Sequence, residues 1–185
     1  GITASFPTIE VKYCRISETL RGIGCWGISA EYIFMNNLWG GINTSGQPAS
    51  YNKIFNCVMI VDRESSNGIN LLGPNYADYC INNNIILFTG SINQNPGYGI
   101  SIGAPRSVYI NNNLISGFVD NIFVQLSVDS CIIKNNLLLN QFSSSINPAS
   151  ISCINDDAII KNNIFGVGYK DGEKVLRAKI DMQHT

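Results

Sequence analysis

Few acidic side chains in this chain are placed to act on a substrate, and their spacing singles out one pair. Glu64 stands six residues past Val58, and Asp120 stands six residues past Leu114. Two carboxyls about 6.5–9.5 Å apart leave room for a water between a sugar and a general base, the geometry of inverting glycoside hydrolysis. Glu64 and Asp120 are thus the candidate acid and base, with Asp62 of the run Asp62-Arg63-Glu64 as the alternate. The plainer reading makes all three solvated loop charges. Asp78, before Tyr79, and Asp156-Asp157 read as turn residues, because Asp bonds its own backbone in turns. No nucleophile elbow, P-loop, calcium loop, dinucleotide fingerprint or zinc-protease helix is present. No metal and no cofactor are expected.

Sugar binding asks for less: an aromatic face for the ring, and amides or hydroxyls for its hydroxyl groups. Trp39, Trp26, Tyr98 and Tyr76 are the candidate saccharide-binding residues. Tyr98 follows Asn93-Gln94-Asn95-Pro96-Gly97, and Tyr76 sits in Gly-Pro-Asn-Tyr. The competing reading packs these rings under loops or at subunit contacts.

What must position these residues is a repeat. Asn-Asn-aliphatic recurs at Asn36-Asn37-Leu38, Asn83-Asn84-Ile85, Asn112-Asn113-Leu114, Asn135-Asn136-Leu137 and Asn162-Asn163-Ile164, with weaker copies at Asn56-Cys57-Val58 and Cys14-Arg15-Ile16. Taking the aliphatic residue as anchor, the steps are 22, 20, 27, 29, 23 and 27 residues. A period in the twenties with insertions predicts a solenoid. Four residues before the anchors stand Phe34, Ile54, Ile81, Ile110, Ile133 and Ile160, with Lys12 the one exception. The even offset places both aliphatic columns on one interior wall if the chain is strand throughout. The segments are too short and too β-branched for helices.

Asn suits the bend between the two strands because it tolerates left-handed backbone better than other non-glycine residues. Stacked at about 4.8 Å, its amides are predicted to form a ladder that satisfies buried polar groups. Gly27-Ile28-Ser29, Gly68-Ile69-Asn70-Leu71, Gly99-Ile100-Ser101-Ile102, Asn121-Ile122 and Ser150-Ile151 read as a further sheet of the coil. Insertions gather between the anchor and this strand, where a binding surface is expected. If they preserve register, Glu64 and Asp120 lie two rungs, or about 9.5 Å, apart.

The repeat pattern resembles the right-handed parallel β-helix of pectate-lyase-like proteins and of phage tailspikes, over roughly residues 11 to 168. The expected fold is all-β: a single-stranded right-handed parallel β-helix of about seven rungs over 1–168, with 169–185 as a C-terminal cap or linker strand. Within that tail, residues 174–182 alternate apolar and charged, a half-buried strand pattern. What the resemblance implies is a tailspike-like segment that binds, and in one version hydrolyses, bacterial surface polysaccharide, as a homotrimer, in the virion tail or outside the cell. A bacterial pectate-lyase-like enzyme and a non-catalytic structural or adhesive β-helix remain the alternatives. The resemblance carries the fold and no catalytic motif.

Composition narrows the partners. With 12 Lys and Arg against 13 Asp and Glu, the net charge of −1 gives no footprint for a phosphate backbone, so no nucleic acid is expected. No apolar run is long enough for membrane insertion. The first repeat begins almost at once, leaving a sheet end that invites association, so the chain is expected to be part of a longer polypeptide. Six cysteines lack metal-ligand spacing and read as reduced, buried thiols.

Overall fold

The computed structural model describes residues 1–3, 8–19, 22–44, 51–72, 77–91, 96–125, 129–139, 141–143, 150–154, 158–166, 168–170, 173–175 and 180–182. Those residues form a parallel β-solenoid with no helix. Each coil lays down one strand on each of three walls, so hydrogen-bonded neighbours within a wall are three strands apart in the chain, or four or five in the last rungs, where Gln141–Ser143, Gly168–Lys170 and Glu173–Val175 form a small fourth sheet. The first wall runs through Ile23–Cys25, Ile42–Thr44, Ile69–Leu72, Tyr98–Gly103, Asp120–Gln125 and Ile151–Cys153. Its end strands are Ile2–Thr3 and Ile180–Met182, which makes eight in all. The second wall has seven strands, among them Tyr51–Phe55, Asp78–Asn82, Ser107–Asn111 and Ser130–Lys134. The third also has seven, among them Phe34–Leu38, Val58–Val61, Ile85–Phe88 and Leu114–Ser116.

The corner between the second and third walls obeys the expectation for asparagine. The first residue of each pair, Asn83, Asn112, Asn135 and Asn162, takes a left-handed backbone with φ of 56–57°. The second points inward and makes the ladder. Asn113 Oδ1 accepts from the Asn84 backbone N–H (3.0 Å) and from Asn84 Nδ2 (2.9 Å), and Asn113 Nδ2 donates to the Ile81 carbonyl (2.9 Å). Asn136 and Asn163 repeat the pattern one and two rungs on. Asn84 caps the lower end by accepting from Cys57 N–H at 3.0 Å.

The first two corners lie elsewhere than the Asn pairs suggest. Strand pairing sets Arg15 beside Phe34 and Phe34 beside Val58. The left-handed residues there are Tyr13 (φ 50°) and Tyr32 (φ 54°), so the inward corner column continues downward as Cys57, Ile33 and Cys14. Left-handed backbone costs a non-glycine residue about 1–2 kcal/mol. The stacked Tyr13 and Tyr32 rings, 5.1 Å apart and 9° from parallel, return about 0.5–1.5 kcal/mol. Asn36-Asn37 instead falls where the register with the neighbouring strand slips between Met35 and Leu38, a β-bulge.

The bend also reverses the facing of the strand that follows. Ile54, Ile81, Ile110 and Ile133 are buried as expected, and so is the anchor Ile16, but five anchors are not: Ile85 is 40% and Ile164 65% exposed, and Val58, Leu114 and Leu137 are half-buried. The next residue along, Met59, Ile86, Ile115 or Leu138, fills the core. The left-handed residue breaks the alternation, so counting by two across the corner gives the wrong face. The third wall therefore presents an aliphatic column outward, through Val58, Ile85, Leu114, Leu137 and Ile164.

On the first wall the repeated Gly-Ile has a steric cause. A Cβ on Gly68 would lie 2.2 Å from Ile86 Cγ2 and 2.6 Å from the Gly99 carbonyl, and one on Gly99 would meet Ile115 Cγ2 at 2.4 Å. Gly27-Ile28 is not part of this column, because Ile28 pairs with Ile9 on the second wall; Gly22-Ile23 and Gly41-Ile42 are. Nor are insertions confined to one link. The connection from first to second wall varies from residues 26–27 to residues 45–50. The alternating tail is two strands: Glu173–Val175 pairs antiparallel with Gly168–Lys170, and Ile180–Met182 joins the first wall.

Candidate functional site

The bulge at Asn36-Asn37 comes immediately before Trp39, at the exit from the third wall. Bulges redirect the chain, and they occur often beside binding sites. Gly40 and Gly41 then lead into Ile42–Thr44 on the first wall. The Trp39 ring is 56% exposed. One rung up, the turn Asp62–Ser66 brings Arg63 over it, with the guanidinium carbon 5.8 Å from the ring centroid. Trp39, Gly40, Asn43, Ser65, Asn67 and Asn70 line a groove of about 460 Å³.

The amides in this groove come from strand alternation. Ile42 and Thr44 point into the core, so Asn43 points out, and the same logic turns out Asn70 between Ile69 and Leu71. The two are paired in register, and Asn70 Nδ2 donates to Asn43 Oδ1 at 3.3 Å. Asn67 Oδ1 accepts from the Tyr98 N–H at 2.8 Å, which fixes the upper rim. The groove thus joins one partly exposed indole, one guanidinium and a set of amides, with Asp62 and Glu64 on the adjoining turn.

The other sequence candidates are dispersed. Trp26, 40% exposed, lies at the link from first to second wall, so it sits at the opposite edge of the first wall from Trp39. Tyr98 is half-buried and stacks on Phe123, with centroids 4.9 Å apart. Tyr76 lies outside the described residues. Glu64 is exposed in the turn, and Asp62 is half-buried with its Oδ1 3.7 Å from Arg63 Nε. Asp120 begins its strand and pairs in register with Tyr98. Because Ile69 pairs with Ile100, the residue two rungs below Asp120 is Asn67. The turn after Val61 does not hold the register that would align Glu64 with Asp120.

A second concavity, of about 530 Å³, lies on the outer face of the second wall between Tyr51 and Tyr109. Asp78 is not in a turn; it opens the strand Asp78–Asn82 and holds Arg106 one rung up through two contacts, Nε to Oδ1 at 2.8 Å and Nη2 to Oδ2. The Arg106 hydrogen bond holds the Asp78 carboxyl below the usual carboxylate range. Cys80 stands in the same concavity, with Asn82 Nδ2 3.2 Å from its sulfur. Among the described residues no group of three His, Cys, Asp or Glu is gathered to hold a metal ion. The described cysteines are free thiols, and burial pushes Cys25 and Cys57 up to about 11.

Sequence reasoning missed Arg63 as the companion of Trp39, and it missed Asn43, Asn67 and Asn70. Inside-outside alternation along the first wall would have found the two strand asparagines. The bulge had no sequence signal distinct from the corner repeat.

The fold and its groove define a parallel β-solenoid with an amide-lined aromatic cleft on one wall. No family model, no curated protein and no solved structure matches the chain.

Proposed function

We propose that the protein is a polysaccharide-binding solenoid of the tailspike kind, which takes a bacterial surface glycan in the Trp39 groove. The observation that carries this reading is the 56% exposed Trp39 indole, which lines one groove with the Asn43–Asn70 amide pair. A pyranose ring stacks on the indole, and its hydroxyls exchange hydrogen bonds with amides that both donate and accept. Binding is the core of the proposal. The hydrolytic version uses Glu64 or Asp62 from the adjoining turn, with Asp120 as partner only if substrate bridges the offset register.

The homotrimer belongs to the same proposal, and the outward aliphatic column on the third wall supports it. Contiguous exposed apolar surface marks interaction sites, and Ile85 and Ile164 sit on that face. A virion-tail or extracellular setting follows from the glycan partner.

The test is affinity electrophoresis of the chain in gels containing purified bacterial capsular or O-antigen polysaccharides. Retardation in at least one gel that disappears with Trp39→Ala is expected. Retardation in none, or retardation unchanged by Trp39→Ala, would overturn the reading. Release of reducing ends, or of unsaturated uronate absorbance, separates hydrolysis and lyase chemistry from binding alone.

A further inference from the structure

The second wall carries charge in a pattern that the Trp39 groove does not use. Strand register stacks Lys53, Cys80 and Tyr109 in one outward column and Asn111, Lys134 and Lys161 in the next. Lys53 Nζ lies 4.8 Å from the Tyr51 ring centroid, and Lys134 Nζ lies 5.0 Å from that of Tyr109. These contacts hold the ammonium groups against the wall.

Among the described residues these lysines have no ion-pair partner, whereas three other cations do. Lys12 pairs with Glu10 at 2.5 Å, Arg63 with Asp62 at 3.7 Å, and Arg106 with Asp78. Among the described residues no carboxylate comes within ion-pairing distance of Lys53, Lys134 or Lys161. Lys134 and Lys161 are direct register partners, about one 4.8 Å rung apart. Like charges opposite one another are destabilising. In a chain of net charge −1, a basic strip with no ion-pair partner among the described residues is a local feature.

We propose that the outer face of the second wall is a separate site for an acidic glycan strand lying along the coil axis. Its anionic groups meet Lys53, Lys134 and Lys161, and its hydroxyls meet the Tyr51, Tyr109, Ser107 and Ser130 hydroxyls around the concavity. From Lys53 to Lys161 is four rungs, about 19 Å. Duplex DNA over that length presents about eleven phosphates, one per ~1.7 Å. Three lysines match a polymer with sparser charge, as when each anionic group belongs to a whole sugar.

The experiment is affinity electrophoresis of the whole chain in gels containing polygalacturonate or alginate, with dextran as the neutral control and single-stranded oligonucleotide as competitor. The expected result is retardation by an acidic glycan and not by dextran, weakened by salt. Lys134→Glu with Lys161→Glu should lower the affinity about tenfold, the loss of two partly exposed ion pairs plus the repulsion that replaces them. Lys134→Gln with Lys161→Gln gives a milder loss and guards against misfolding of the charge-reversed chain. Trp39→Ala should leave this binding intact, which separates the site from the Trp39 groove. No retardation, retardation untouched by either double variant, or full displacement by the oligonucleotide would overturn the proposal.

Discussion

The corner between the second and third walls and the return from the third wall to the first belong to the same coil and follow opposite rules. Between those strands the corner is two residues in every rung, from 13–14 to 162–163, one left-handed and one turned inward. The return varies from three residues at 39–41 to nine at 89–97, and the last two, at 140–150 and 166–179, are longer still and take in extra strands. From Asn84 to Asn163 each inward amide bonds to a neighbouring rung, and below them Cys57, Ile33 and Cys14 keep the same two-residue length. On the return the rungs meet through backbone bonds such as Gly68 N–H to the Tyr98 carbonyl, and the varying lengths between them build the Trp39 groove. The scaffold and the site are thus separated around the coil, and each prediction below presses on that division.

The largest effect is expected at the ladder. Asn113→Ala removes the acceptor of two Asn84 donors and the partner of the Ile81 carbonyl, all buried. Unsatisfied buried groups cost about 1–3 kcal/mol each, so urea denaturation should show a loss of about 3–5 kcal/mol. Asn112→Ala, at the exposed left-handed neighbour, should cost only about 1–2 kcal/mol. Equal losses would mean that backbone conformation, rather than the ladder, ties the rungs together.

Next comes the reversal of facing past the corner. Ile86→Ala should destabilise by about 3 kcal/mol, the usual result of emptying a core position. Ile85→Ala, on the outer face, should stay within about 1 kcal/mol. The opposite order would restore the inward-facing anchor column.

On the variable return, Trp39→Ala should change stability by only about 0.5 kcal/mol while abolishing retardation by the polysaccharide. A large loss of stability there would make Trp39 part of the scaffold.

The smallest effect concerns acid. Arg106 depresses the Asp78 carboxyl, so the pair stabilises the fold above the unfolded pKa of about 3.9, and that contribution disappears as pH falls through the lower folded value. Both side chains are partly exposed, so the effect is small. Thermal melts from about pH 6 downward should show a slightly shallower acid slope for Asp78→Asn than for the parent chain; identical slopes would remove the pair from the account.

The rungs and the Asn ladder were legible because a buried corner leaves asparagine few substitutes, and the pair then repeats visibly. The Tyr13 and Tyr32 corners were not, since their left-handed strain is offset by a ring stack between residues distant in sequence. Facing past the corner was misread for a related reason: one left-handed residue upsets a count by two. At the site, counting one residue past an inward Leu38 turns Trp39 outward, and Trp39 is exposed, but for another reason, because Leu38 lies past a bulge and outside the corner register. Its companions were not legible, because Arg63, Asn67 and Asn70 reach it from the next rung, across a turn whose length the sequence does not constrain.

Hydrogen–deuterium exchange of the chain, with and without a polysaccharide that retards it, tests the separation of scaffold from site. Added protection is expected in the segments around Gly40–Thr44 and Ser65–Asn70, with the amides of Asn84, Asn113 and Asn136 unchanged. Protection centred on the Asn corner, or no protection on the first wall, would contradict it.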